Sequence, residues 1–185
     1  MIGKMVTESN AGKKSKLFKM IFAAMFLALA MVLPFLTGQI QQIGNALCPM
    51  HIPVLLCGFF CGPWFGLLVG VIAPILRFAL FGMPQLMPIG IAMCFELGAY
   101  GLTAGLLYKW LPKKRFSIYV SLIGAMVLGR VIWGIARVVL FGVGQYEFGW
   151  AAFLAGAFVN AIPGIILQIV LIPIVVMALE KYTDR

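Results

Sequence analysis

At 185 residues, 63% of them hydrophobic and 10% charged, with a mean hydropathy of +1.08, the chain is not a soluble domain. A bilayer core of about 30 Å takes about 20 apolar residues per helix, so the apolar mass makes roughly five or six spans and leaves no room for a soluble catalytic module. The net charge of +9 does not point to nucleic acid, because the basic residues fall in separate polar flanks and not on one face.

Residues 1–16 read as a polar, Lys-rich N-terminal tail. A basic run before an apolar stretch resembles a signal peptide, but no small-residue cleavage site follows, so a retained first helix is expected from about Leu17 to Leu36, with Pro34 near its exit. A long uncharged loop follows over 37–50, with Gln39, Gln41, Gln42 and Asn45. A short second segment covers His51–Cys61 and is broken by Gly62-Pro63; the third runs from Trp64 to Phe81. Gly82, Pro84 and Pro88 mark the next turn, and the fourth helix is expected over Ile89–Trp110. A basic loop at Lys113-Lys114-Arg115 leads to the fifth, Ser117–Phe141, and residues 142–149 lead to the sixth, Trp150–Leu179. The expected architecture is an all-α membrane protein: a compact bundle of six transmembrane helices over 17–180, with polar tails at 1–16 and 181–185.

Charge sets the orientation. Lys4, Lys13, Lys14, Lys16 and Lys19 lie before or at the start of the first span, Lys109, Lys113, Lys114 and Arg115 at or after the end of the fourth, and Lys181 and Arg185 after the sixth. Cytoplasmic loops carry the excess of Lys and Arg. A six-span count puts all three clusters, and both termini, on the cytoplasmic side, whereas a five-span count strands one cluster outside. Trp64, Trp110 and Trp150 sit at span ends, as interfacial anchors do.

Gly58, Gly62, Gly66 and Gly70 recur every four residues, and Gly101 and Gly105 repeat the spacing in the fourth span. Such rows let helix backbones approach closely in lipid, so tight packing without chemistry is expected there. Ala24 and Ala28 form a further small pair in the first helix, whose face packs against some helix of this chain or another. Cys48, Cys57, Cys61 and Cys94 lie in or beside apolar segments; with a single His in the chain they read as small buried residues, and neither a metal nor a cofactor is expected.

A charge at membrane depth costs at least about 2.5–3.5 kcal/mol, which makes Arg77, Glu96, Arg130 and Arg137 functional candidates. Arg130 and Arg137 are seven residues apart, on about one helix face, with Trp133 between them to stack on a planar ligand or on an Arg. His51 opens the second span, and Asn160 lies in the outer third of the sixth. Most of these groups fall in the outer half of the membrane, so one outward-facing polar cavity accounts for them. One carboxylate does not neutralise three guanidiniums, so at least one Arg is expected to meet water or an anionic ligand group. No hydrolase triad, zinc-protease motif or phosphate loop is present, so no catalytic residue is expected.

These residues resemble the substrate-binding S components of energy-coupling factor (ECF) vitamin transporters, over about residues 17–180. The resemblance rests on the size and six-span plan, on Ala24-x-x-x-Ala28 in the first helix, on Asn45–Gly82 as a loop, short second helix and Gly-rich third helix, and on FELGAYGLTAGLLYK, Phe95–Lys109. The last two look like the group that includes riboflavin and pantothenate S components. The resemblance implies a high-affinity vitamin binder in the bacterial plasma membrane, with no transport power alone. Its partners would be a transmembrane scaffold (T) subunit and two ATPase (A) subunits, with docking through Ala24 and Ala28 and toppling in the membrane to deliver the substrate. It puts the Gln39–Asn45 loop, Glu96, Arg130, Trp133, Arg137 and Asn160 around the ligand. Among vitamins, an Arg-rich cavity puts pantothenate first, ahead of riboflavin, a pyridoxine-type vitamin and a cobalamin precursor. An intramembrane enzyme or a membrane assembly protein is the alternative class.

Overall fold

The computed structural model describes residues 2–36, 48–112, 114–143 and 162–183. Six helices follow in chain order: α1 Ile2–Leu36, α2 His51–Cys61, α3 Pro63–Phe81, α4 Ile91–Trp110, α5 Arg115–Val143 and α6 Ile162–Thr183. There is no strand among the described residues. An irregular turn over Leu86–Gly90, with Met87 extended at φ −112° and ψ 134°, leads into α4.

Among the described residues, five helices are long and apolar enough to cross a bilayer: those over Lys16–Phe35, Pro63–Phe81, Leu86–Trp110, Arg115–Leu140 and Ile162–Leu179. The second differs from the expected span. α2 has 11 residues, and at 1.5 Å per residue it covers only about half of a 30 Å core. Every residue from His51 to Phe59 is buried, as is Cys61. α2 is hydrophobic all round because it lies inside the bundle, touching α1, α3, α4 and α6. α1 also departs from expectation, being helical from Ile2 and not only from Leu17. Lys, Met, Ala and Glu in that stretch are good helix formers and no Pro precedes Pro34. Of the expected sixth span, 150–161 lie outside the described residues, Trp150 and Asn160 among them.

The glycine row explains how α2 is held. Gly62 has φ 99° and ψ 174°, a conformation that side-chain-bearing residues rarely adopt, and Pro63 starts α3 at the position where its missing N–H costs nothing. The chain reverses there, so Gly58 and Gly66, four residues either side, both meet Gly101 of α4. A Cβ on either would come within 2.5 Å of the Gly101 carbonyl oxygen. Gly70 lies against the Leu97 backbone, and a Cβ on Gly105 would come 2.6 Å from the Pro63 nitrogen. The row packs as the sequence implied, except that Gly62 serves the turn: nothing lies within 4 Å of the position its Cβ would take. α2 therefore runs alongside α4, while α3 runs against it.

α1 covers this hairpin. Ala23, Phe26 and Ala30, spaced three and four apart, are buried, as is Met31, and Phe26 stacks on Phe60 at 6.2 Å. Ala24 and Ala28 lie on the opposite face and are exposed. Trp64 and Trp110 are 71% and 74% exposed, as interfacial anchors require.

Candidate functional site

α2, α4 and α5 bring their ionisable side chains to one point. His51 is the first residue of α2, placed there by a turn in which its N–H donates to the Cys48 carbonyl at 3.0 Å. Glu96 lies on the buried face of α4, and Arg130 reaches across from α5. His51 Nε2 is 3.4 Å and Arg130 Nη1 is 3.1 Å from the same oxygen, Glu96 Oε1.

Two further contacts complete the cluster. Arg130 donates through Nη2 to Cys48 Sγ at 3.9 Å, and Cys48 itself has φ 46°. The Tyr100 ring, one helical turn beyond Glu96 on α4, meets His51 edge-on, with ring centroids 5.2 Å apart. Tyr100 is 1% exposed. Burial of the Cys48 thiol, which lies before α2, outweighs the nearby guanidinium and pushes its pKa up to about 11.

Arg130 and Arg137 share one aromatic ring. The guanidinium carbons lie 5.8 Å and 4.9 Å from the centre of Trp133. Of the two uses the sequence left for Trp133, the ring meets the arginines. A guanidinium over an indole ring gains roughly 0.5–2 kcal/mol, and the i−3 and i+4 spacing places all three on one face of α5.

Arg77 stands elsewhere. It is buried between α1 and α3, donates through Nη1 to the Met31 carbonyl at 3.3 Å, and lies 5.8 Å and 5.7 Å from the ring centres of Phe35 and Phe81. Those two rings meet edge-on at 4.9 Å. Pro34, inside α1, withholds the backbone N–H that would reach the Ala30 carbonyl, in the same turn as Met31. The structure thus brings together His51, Glu96, Arg130, Trp133 and Arg137, and leaves Arg77 apart. Asn45 and Asn160 lie outside the described residues. Tyr100 and Cys48 belong to the cluster though no motif marked them. The signal for Tyr100 was present, four residues from Glu96 on the same helix face.

A buried ion pair is a poor way to stabilise a fold. Each charge loses several kcal/mol of hydration, and apolar side chains of equal volume often do as well or better. A carboxylate, an imidazole and a guanidinium gathered in an apolar bundle therefore mark a candidate site.

The family model for the substrate-specific component of ECF transporters matches residues 18–176. No curated protein and no solved structure matches the chain significantly. The match runs from the first apolar turn of α1 into α6 and includes every member of the Glu96 cluster. This multi-pass membrane chain belongs to the ECF transporter substrate-specific component family and is a substrate-binding subunit of such an importer.

Proposed function

We propose that the chain captures a vitamin or vitamin precursor carrying a carboxylate or phosphate at the outer side of a bacterial plasma membrane. The chain presents it to a T subunit and two ATPase subunits, which hydrolyse ATP to drive uptake. Both termini and the loop between α4 and α5 face the cytoplasm. α2 then enters from the outside with the His51 end outermost, so the Glu96 cluster lies in the outer half. The observation that carries the substrate class is the pair of guanidiniums, Arg130 and Arg137, on the one Trp133 ring. Planar forks of N–H donors suit carboxylate and phosphate oxygens, and their desolvation inside the bundle strengthens the contact. Pantothenate, with its carboxylate, is the first vitamin to try. The exposed Ala24–Ala28 face of α1 supports docking on the T subunit, since its inward face is already filled by Ala23, Phe26 and Ala30.

The test is a thermal-shift screen of the purified chain against the B vitamins and their precursors. A ligand bound only by the folded state raises Tm by mass action, by about 2.7 kcal/mol of stability at a hundred times Kd. A clear shift with one anionic vitamin is the expected result. A shift only with uncharged vitamins would overturn the anion reading while keeping the binding subunit.

A further inference from the structure

The members of the Glu96 cluster are not equally accessible. The side chains of Glu96 and His51 are 3% and 5% exposed, and that of Arg130 is 15% exposed. We propose that Glu96 is a positioning residue and not a ligand contact. It holds the Arg130 guanidinium in place from behind, and is itself held by a buried stack of His51 and Tyr100 that Gly129 admits.

The layering runs through four side chains and one missing one. Both His51 Nε2 and Arg130 Nη1 lie within ion-pair distance of Glu96 Oε1, so the carboxylate is flanked on two sides. His51 is in turn braced by the edge of Tyr100. Tyr100 reaches that position because the residue beside Arg130 on α5 has no side chain. A Cβ on Gly129 would come 2.6 Å from both Cδ1 and Cε1 of the Tyr100 ring. A methyl group there must push the ring or separate α4 from α5. The displacement then passes through Tyr100 and His51 to Glu96, and so to the Arg130 guanidinium that Glu96 holds. A guanidinium held by a carboxylate on one edge keeps its other N–H groups aimed at a fixed place, which is what a planar anion needs.

The inference rests on the vitamin-binding reading only for what Arg130 does once it is held. The holding itself is measured without ligand. The full chain in detergent is treated with phenylglyoxal, and modification of Arg130 is followed by peptide mass spectrometry, with exposed Arg115 as the reference in the same sample. Pairing with a carboxylate shields the guanidinium from the reagent. Glu96→Gln is expected to raise the Arg130 rate relative to Arg115 by about tenfold, Glu96→Asp to restore it to about twofold of native, and Gly129→Ala and His51→Gln to raise it by about threefold. An Arg130 rate unchanged in Glu96→Gln and Gly129→Ala, with both variants melting cooperatively, would overturn the proposal. If Glu96→Gln does not fold, Glu96→Asp and Gly129→Ala decide on the same readout. A silent vitamin screen with a raised Arg130 rate overturns the substrate reading alone, and the reverse pattern overturns this one alone.

Discussion

Gly66 of α3 and Gly101 of α4 touch through their backbones, with no space for a methyl group on Gly66 before it meets the Gly101 carbonyl oxygen at 2.5 Å. The contact lets α2 and α3 approach the same point of α4 from the two arms of one hairpin. Gly66→Leu is expected to separate α3 from α4 at a cost of about 1–3 kcal/mol or more. In detergent, this should appear as a lower Tm and less monodisperse protein on size exclusion. Gly62→Ala meets no neighbour, and its cost is the strain of a positive φ, about 1–2 kcal/mol. Equal melting of Gly66→Leu and native protein would show that the helices do not pack as described.

Arg130→Ala leaves the Glu96 carboxylate buried beside His51 without its nearest cation. Breaking one partner of a buried pair costs about 3–5 kcal/mol, whereas removing both is far cheaper. The double variant Arg130→Ala, Glu96→Gln should therefore melt above Arg130→Ala alone. A double-mutant cycle on Tm reads this coupling, and strict additivity would mean that the two side chains do not interact. Both variants should bind any anionic vitamin found by the screen at least about tenfold more weakly.

Arg77 clasps α1 to α3. Arg77→Met should lower Tm by several degrees, because the Met31 carbonyl loses its donor and the Phe35 and Phe81 rings lose the cation between them. Ligand affinity should change by less than about twofold, since no member of the Glu96 cluster is disturbed. A large affinity loss with Tm retained would move Arg77 into the ligand site.

Ala24→Leu and Ala28→Leu alter a face that no part of the described chain covers. Their melting and ligand binding should match native values, and recovery of T and A subunits on co-purification should fall by about tenfold. Loss of folding in either variant would place that face inside the bundle.

Cys48 offers a pH readout. Its thiol pKa is raised to about 11, so the reactive thiolate is scarce at neutral pH and grows as pH rises toward that value. Alkylation of Cys48 by iodoacetamide, resolved by peptide mass, should still be accelerating at pH 10. A plateau by pH 9 would show a thiol that burial does not perturb.

The break at Gly62-Pro63 made the end of α2 and the start of α3 legible, and a hydrophobic segment with no polar face could have been recognised as one surrounded by protein. What hid its role was length. An apolar run of 11 residues beside another of 19 reads as a second crossing. The Arg130–Trp133–Arg137 grouping was visible because all three lie on one helix, where spacing fixes the face. Glu96 with His51 and Arg130 needed three helices to be placed, and no spacing supplies that. Arg77 and Arg137 look alike as charges near span ends. Only the approach of α1 at Met31 and Phe35 separates them.

A bilayer that thins or thickens acts on the helices that meet lipid, by tilting or stretching them. α2 is buried along nearly its whole length. Its depth is set by glycine contacts with α4, and His51 hangs from it like a plumb line. The Glu96 cluster is thus referenced to the protein and not to the surrounding membrane. A cell that remodels its lipid tails with temperature would leave the geometry of this cluster where it was.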